Sequence, residues 1–67
     1  MARTKAPALG SQWRRVKGGH RYHVTAIYHG RDDWTVELVP EPGESARKTW
    51  LGPTGFAAKF EPTPLHQ

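Results

Sequence analysis

Between His20 and Val39, apolar and polar side chains alternate in two runs separated by the step Gly30-Arg31-Asp32-Asp33. Tyr22, Val24, Ala26 and Tyr28 recur at period two in the first run. Trp34, Val36 and Leu38 do so in the second, with Thr35 and Glu37 turned the other way. In extended backbone, residues at period two share one side of a strand, and Gly with Asp between two such runs supplies a tight turn. The pattern predicts a β-hairpin, with a long strand over 20–29 and a return strand over 34–39. Anything else that folds must pack against one face of it.

The flanking segments predict short partners for this hairpin. Trp13-Arg14-Arg15-Val16-Lys17 reads as a strand, and Gly18-Gly19 as a turn in which positive φ is needed. Trp13 and Val16 are three apart, so a regular strand cannot bury both; Trp13 is expected to cover one end of the core unless a bulge intervenes. Pro40-Glu41-Pro42-Gly43-Glu44-Ser45 reads as a plain turn segment and as the most mobile internal stretch. Ala46 to Leu51 is the expected fourth strand, with Ala46, Lys48 and Trp50 on one side and Arg47, Thr49 and Leu51 on the other. After Gly52-Pro53, Thr54 is expected to cap one helical turn, Gly55 to Lys59, whose Phe56 and Phe60 lie four apart on one face. The expectation is an all-β chain of four to five antiparallel strands with one short helical turn near the C-terminus. Residues 1–12 are expected as a flexible basic arm, 13–61 as the folded unit and 62–67 as an extended tail.

This order and length of elements resembles the small SH3-like or Tudor-like barrels over about residues 13–61. The resemblance implies a strongly bent meander closing over an aromatic core, in families that include nucleic-acid binders. The Tyr-rich groove of proline-binding SH3 domains has no counterpart here, so polyproline recognition is not implied. Lys48-Thr49-Trp50-Leu51-Gly52-Pro53, with Phe56 and Phe60 after it, resembles small proteins carried by bacterial viruses of GC-rich hosts, which implies no particular activity. Ala2-Arg3-Thr4-Lys5 resembles the start of the histone-three tail over those four residues alone.

With 67 residues and no cysteine, neither a disulfide nor a Cys-based zinc site can staple the fold. Three Trp, two Tyr and two Phe must serve instead. Each such ring buries roughly 150–250 Å², which suffices for a compact barrel but not for a deep substrate cavity. No apolar run approaches the ~20 residues of a membrane span, and the opening residues lack a signal-peptide core. A cytoplasmic setting without membrane contact is the expectation.

Four histidines raise the question of a metal, and strand geometry answers against it. His20 and His23 point to opposite faces, while His23 and His29 lie about 20 Å apart along a strand, too far to share one ion. No cofactor is expected. Ser11, Ser45 and the threonines have no recognisable base beside them, and Asp32-Asp33 in a tight turn are suited to bonding nearby backbone amides. Gly18-Gly19 leads into a strand and not into the helix a phosphate-cradling loop needs. No catalytic activity and no small-molecule substrate are expected.

Charge points to binding. Residues 1–31 carry seven bases (Arg3, Lys5, Arg14, Arg15, Lys17, Arg21, Arg31) and no acid, whereas residues 32–67 carry three bases and six acids, for a net +4. Arg14, Arg15, Lys17 and Arg21 flank the first turn, and His20 and His23 extend that patch. Phosphates take up such charge, and bases stack on rings set among it. Tyr28 and Trp50 are the candidate rings, although the core competes for both, and Lys48 stands beside Trp50. The expected partner is an anionic macromolecule, nucleic acid first and an acidic protein surface second. The alternatives are an accessory protein docking on one host protein through an edge strand or exposed ring, and a homo-oligomer formed through the open sheet edge.

Overall fold

The computed structural model describes residues 5–63. Five strands and one helix follow in the order β1 (Gln12–Arg15), β2 (Arg21–His29), β3 (Trp34–Pro40), β4 (Thr49–Leu51), α1 (Pro53–Lys59) and β5 (Phe60–Pro62). All strand pairings are antiparallel, in the spatial order β4-β3-β2-β1-β5. The sheet curls into a half-barrel, with one short helix near the C-terminal end of the chain. The expected all-β architecture is therefore present, with β5 as the fifth strand. Because β4 and β5 are edges that do not pair with each other, the barrel stays open.

The hairpin forms as its alternation dictates, but with one irregularity that decides what the outer surface carries. Val24 stands opposite Leu38 and Ala26 opposite Glu37, so Thr25 is an extra residue on β2, a β-bulge. An unpaired residue reverses the alternation beyond it. Ile27 and not Tyr28 then faces the core, opposite Val36. Tyr22 and Val24 keep the inward positions expected of them, each 1% exposed. The expectation that Tyr28 shares their side is corrected: it lies opposite Thr35 on the outer face.

The concave side holds Tyr22, Val24, Trp34, Val36, Leu38, Phe56 and Phe60, with Trp13, Ile27, Leu51 and Ala46 around them. Phe56 is the hub of the rings. It lies edge-on to Trp13 at 4.7 Å and to Trp34 at 5.8 Å, and stacks on Phe60 at 5.6 Å, while Phe60 meets Tyr22 edge-on at 5.1 Å. Such geometries suit the ring quadrupole. Trp13 sits opposite Tyr22 and closes one end of this core. Val16 does not compete with it, because β1 ends at Arg15 and Val16 projects from the turn. In that turn Gly18 and Gly19 have φ of 94° and 75°, the positive values expected of the pair.

Three local expectations are corrected. The helix begins one residue pair earlier: Gly52 is the N-cap and Pro53 the first helical residue, and no side chain caps it. Proline at that position lacks only an N–H that would have had no partner. Its Gly55 packs against β4, where a Cβ would come within 3.3 Å of the Leu51 side chain. The fourth strand spans only Thr49–Leu51, so Ala46 precedes it and packs on the core. Finally, much of the expected arm is fastened. Pro7 is buried, Ala6 touches the core, Gly10 N–H donates to Val24 O at 2.8 Å and Val24 N–H to Ser11 O at 3.0 Å. Arg3 and the rest of the histone-like stretch before Lys5, and the tail beyond Thr63, lie outside the described residues.

Candidate nucleic-acid interface

Directly paired residues share a face of the sheet, so the register fixes the composition of the convex outer surface. Trp50 on β4 faces outward opposite Glu37 on β3, which in turn lies opposite Ala26 on β2. Tyr28 stands two residues further along β2. Strands are about 4.8 Å apart, so the two rings are separated by about 10 Å across the strands. Trp50 is 51% exposed and Tyr28 56% exposed, whereas the other aromatic rings belong to or pack against the core. Lys48 lies over the Trp50 ring, its Nζ 5.4 Å from the ring centre.

The other end of the same surface carries the cations. Arg14 and Arg21 are cross-strand neighbours, and His23 follows on β2 opposite Gln12 and Val39. Arg21 and Tyr28 are therefore separated by about 20 Å of strand. Two arginines side by side repel, and each is given an acid from a different flanking element. Arg14 Nε donates to Glu61 Oε2 on β5 at 2.8 Å. Arg21 Nε reaches Glu44 Oε2 at 3.4 Å, and His20 Nδ1 meets Glu44 Oε1 at 2.9 Å. His23 Nδ1 lies 3.3 Å from Glu41 Oε2 without hydrogen-bond geometry, so this contact is one of proximity. Lys48 Nζ stands 3.9 Å from Glu37 Oε2, and Glu37 also accepts a bond from Thr25 Oγ1 at 2.6 Å.

Residues 40–45, expected as a plain turn segment, are tied to the start of β2 by these contacts. Glu41 N–H donates to Arg21 O at 2.9 Å, and the Glu44 side chain, through His20 and Arg21, holds the loop against the start of β2. The hydrogen bond with His20 holds the Glu44 carboxyl below the usual carboxylate range, opposed by partial desolvation and assisted by Arg21.

The sequence patch thus divides in two. Arg14, Arg21, His23, Tyr28, Lys48 and Trp50 share the outer face, and Arg14, Arg21, Lys48 and the His23 ring each have a carboxylate nearby. Arg15 and Lys17 are elsewhere. Arg15 has the parity of Phe60, its partner on β5, and Lys17 lies in the turn; neither has an ion pair among the described residues. Glu37, Glu41, Glu44 and Glu61 were not singled out from the sequence. Only Glu37 had a legible signal, its period-two alternation with Thr35. His66 lies outside the described residues, and among the described ones there is no group of three or more His, Asp or Glu side chains able to hold a metal ion. No helix among the described residues is long and apolar enough to cross a membrane. Comparison with family models, curated proteins and solved structures returns no match, so the outer face is read from its own chemistry.

Proposed function

We propose that this chain is a non-catalytic binding protein that engages single-stranded nucleic acid across the convex face of its sheet. The observation that carries the reading is the outward display of Trp50 and Tyr28 on a surface whose other end holds Arg14, Arg21 and His23. A 67-residue chain has few rings, and leaving two large ones half in water forgoes burial that its core would otherwise gain. Bases stack on such rings regardless of sequence, at about 1–3 kcal/mol each, and the cations take phosphates. The flanking carboxylates set the strength: a phosphate must compete with Glu61 and Glu44, so binding is weak and sensitive to salt.

Fluorescence anisotropy with a labelled mixed-sequence single strand in about 50 mM salt tests this. Binding that weakens about tenfold or more in Trp50→Ala, and again in Tyr28→Ala, is the expected result. Absence of binding at that salt removes the proposal. The second reading, docking on one partner protein, draws on the same neutralisation of the outer cations, since paired charges and exposed rings suit a protein interface. A pull-down with nuclease separates the two: a protein partner retained after nuclease treatment favours docking.

A further inference from the structure

Where β1 ends, three cations gather for which no ion-pair partner is present among the described residues. Val16 N–H donates to Lys59 O at 2.8 Å, and Arg15 stands opposite Phe60, the residue after Lys59. These contacts draw the first turn and the end of α1 together. Arg15, Val16, Lys17, Ala58 and Lys59 line an open cavity of about 330 Å³ between them. Among the described residues none of its three cations makes an ion pair; Lys5, Arg31 and Arg47 have none either, but they do not line this cavity, whereas Arg14, Arg21 and Lys48 each have a carboxylate.

Lys59 taken alone has a local explanation, since a cation in the last helical turn faces the free carbonyls there. That does not account for Arg15 and Lys17 on the opposite wall. Arg15 is half-buried. Positive side chains on the walls of one cavity repel one another, and an anion between them relieves that repulsion. Arg15 offers a planar pair of donors, the two lysines offer mobile ammonium groups, and the backbone of the turn is held in place behind them.

We infer that this cavity is an anion site taking a phosphate group, free or as a monoester, with Arg15, Lys17 and Lys59 as its ligands. It lies apart from the outer sheet face and does not rest on the nucleic-acid reading.

The test is an NMR titration of the ¹⁵N-labelled full chain with inorganic phosphate, ionic strength being held constant with sodium chloride. Saturable shifts centred on the Val16, Lys17 and Lys59 amides are expected. In Lys17→Gln with Lys59→Gln, both exposed positions, affinity falls about tenfold or more, because two charge-assisted contacts go. In Tyr28→Ala with Trp50→Ala it is unchanged. Parallel titrations with a nucleoside monophosphate and with phosphoserine show whether a monoester binds more tightly than the free ion. Shifts that never saturate, that chloride reproduces, or that survive the lysine substitutions overturn the site. Because the phosphate titration and the oligonucleotide titration read different residues, either can fail while the other stands.

Discussion

Tyr22 and Tyr28 are the same residue on the same strand, 1% and 56% exposed. Thr25 makes the difference, since its place in the bulge reverses the faces between them. Removing Tyr28 or Trp50 should therefore leave stability nearly untouched, within about 1 kcal/mol, because neither ring is needed to fill the interior. Phe56→Ala removes contacts with three rings at once and should cost about 3–5 kcal/mol. At roughly 0.05–0.15 kcal/mol per residue, a chain of this size has only roughly 3–10 kcal/mol in total. The Phe56 variant should be substantially unfolded at 25 °C, with Tyr28→Ala and Trp50→Ala cooperative in urea near the wild-type midpoint. If Tyr28→Ala proved as damaging as Phe56→Ala, the outward assignment of Tyr28 would be wrong. The sequence could not reveal this split. Alternation alone places Tyr28 with Tyr22, and Thr25 carries no mark of a bulge such as glycine.

At the scale of elements, pairings between chain neighbours were legible and those between distant segments were not. The hairpin and the Gly18-Gly19 turn follow from alternation and turn chemistry. The β1–β5 pairing joins residues such as Arg14 and Glu61, 47 positions apart, and no local signal announces it. The 40–45 loop has the composition of a free turn, yet Arg21 and His23 on β2, and His20 just before it, reach it through contacts fixed only by the folded register. That clamp has a consequence in acid. The folded state favours the Glu44 carboxylate, so its pKa lies below the unfolded value of about 4.3. Its stabilising contribution is complete above the unfolded pKa and is lost as pH falls through the lower, folded one. Melting temperatures taken from about pH 6 down to about pH 3 should show a steeper acid decline for the native chain than for Glu44→Gln. Parallel curves would mean that the carboxylate contributes nothing. The bulge is the second element with a testable role. Deleting Thr25 leaves Val24, Ala26 and Ile27 in the register they already hold, so the variant should fold with Tyr28 still exposed. It should lose about 1 kcal/mol with the Thr25 side-chain bonds to Glu37. Quenching of tyrosine fluorescence by a soluble quencher reads the exposure directly.

For the molecule as a whole, the uneven charge of the sequence is redistributed by folding. The basic first half and acidic second half are interleaved in space, because Glu37, Glu41, Glu44 and Glu61 all fold back onto cations or histidines. What the primary structure suggests as one strong patch becomes a nearly balanced outer face and, at Arg15, Lys17 and Lys59, a corner whose cations have no ion pair among the described residues. The two surfaces should answer salt differently in strength and in origin. If a single strand on the outer face displaces carboxylates from about three cations, log affinity falls with log salt at a slope near −0.7 per phosphate. Raising salt from about 50 to about 200 mM then weakens binding about twentyfold. Replacing Glu44 by Gln releases Arg21 to phosphate and should tighten binding at every salt concentration, whereas Trp50→Ala should weaken it without changing the slope, because stacking releases no counterions. The Trp50 result decides between the two surfaces. A variant that lowers affinity at constant slope puts the strand over the rings, and one that leaves affinity intact moves it to the corner, where only cations act.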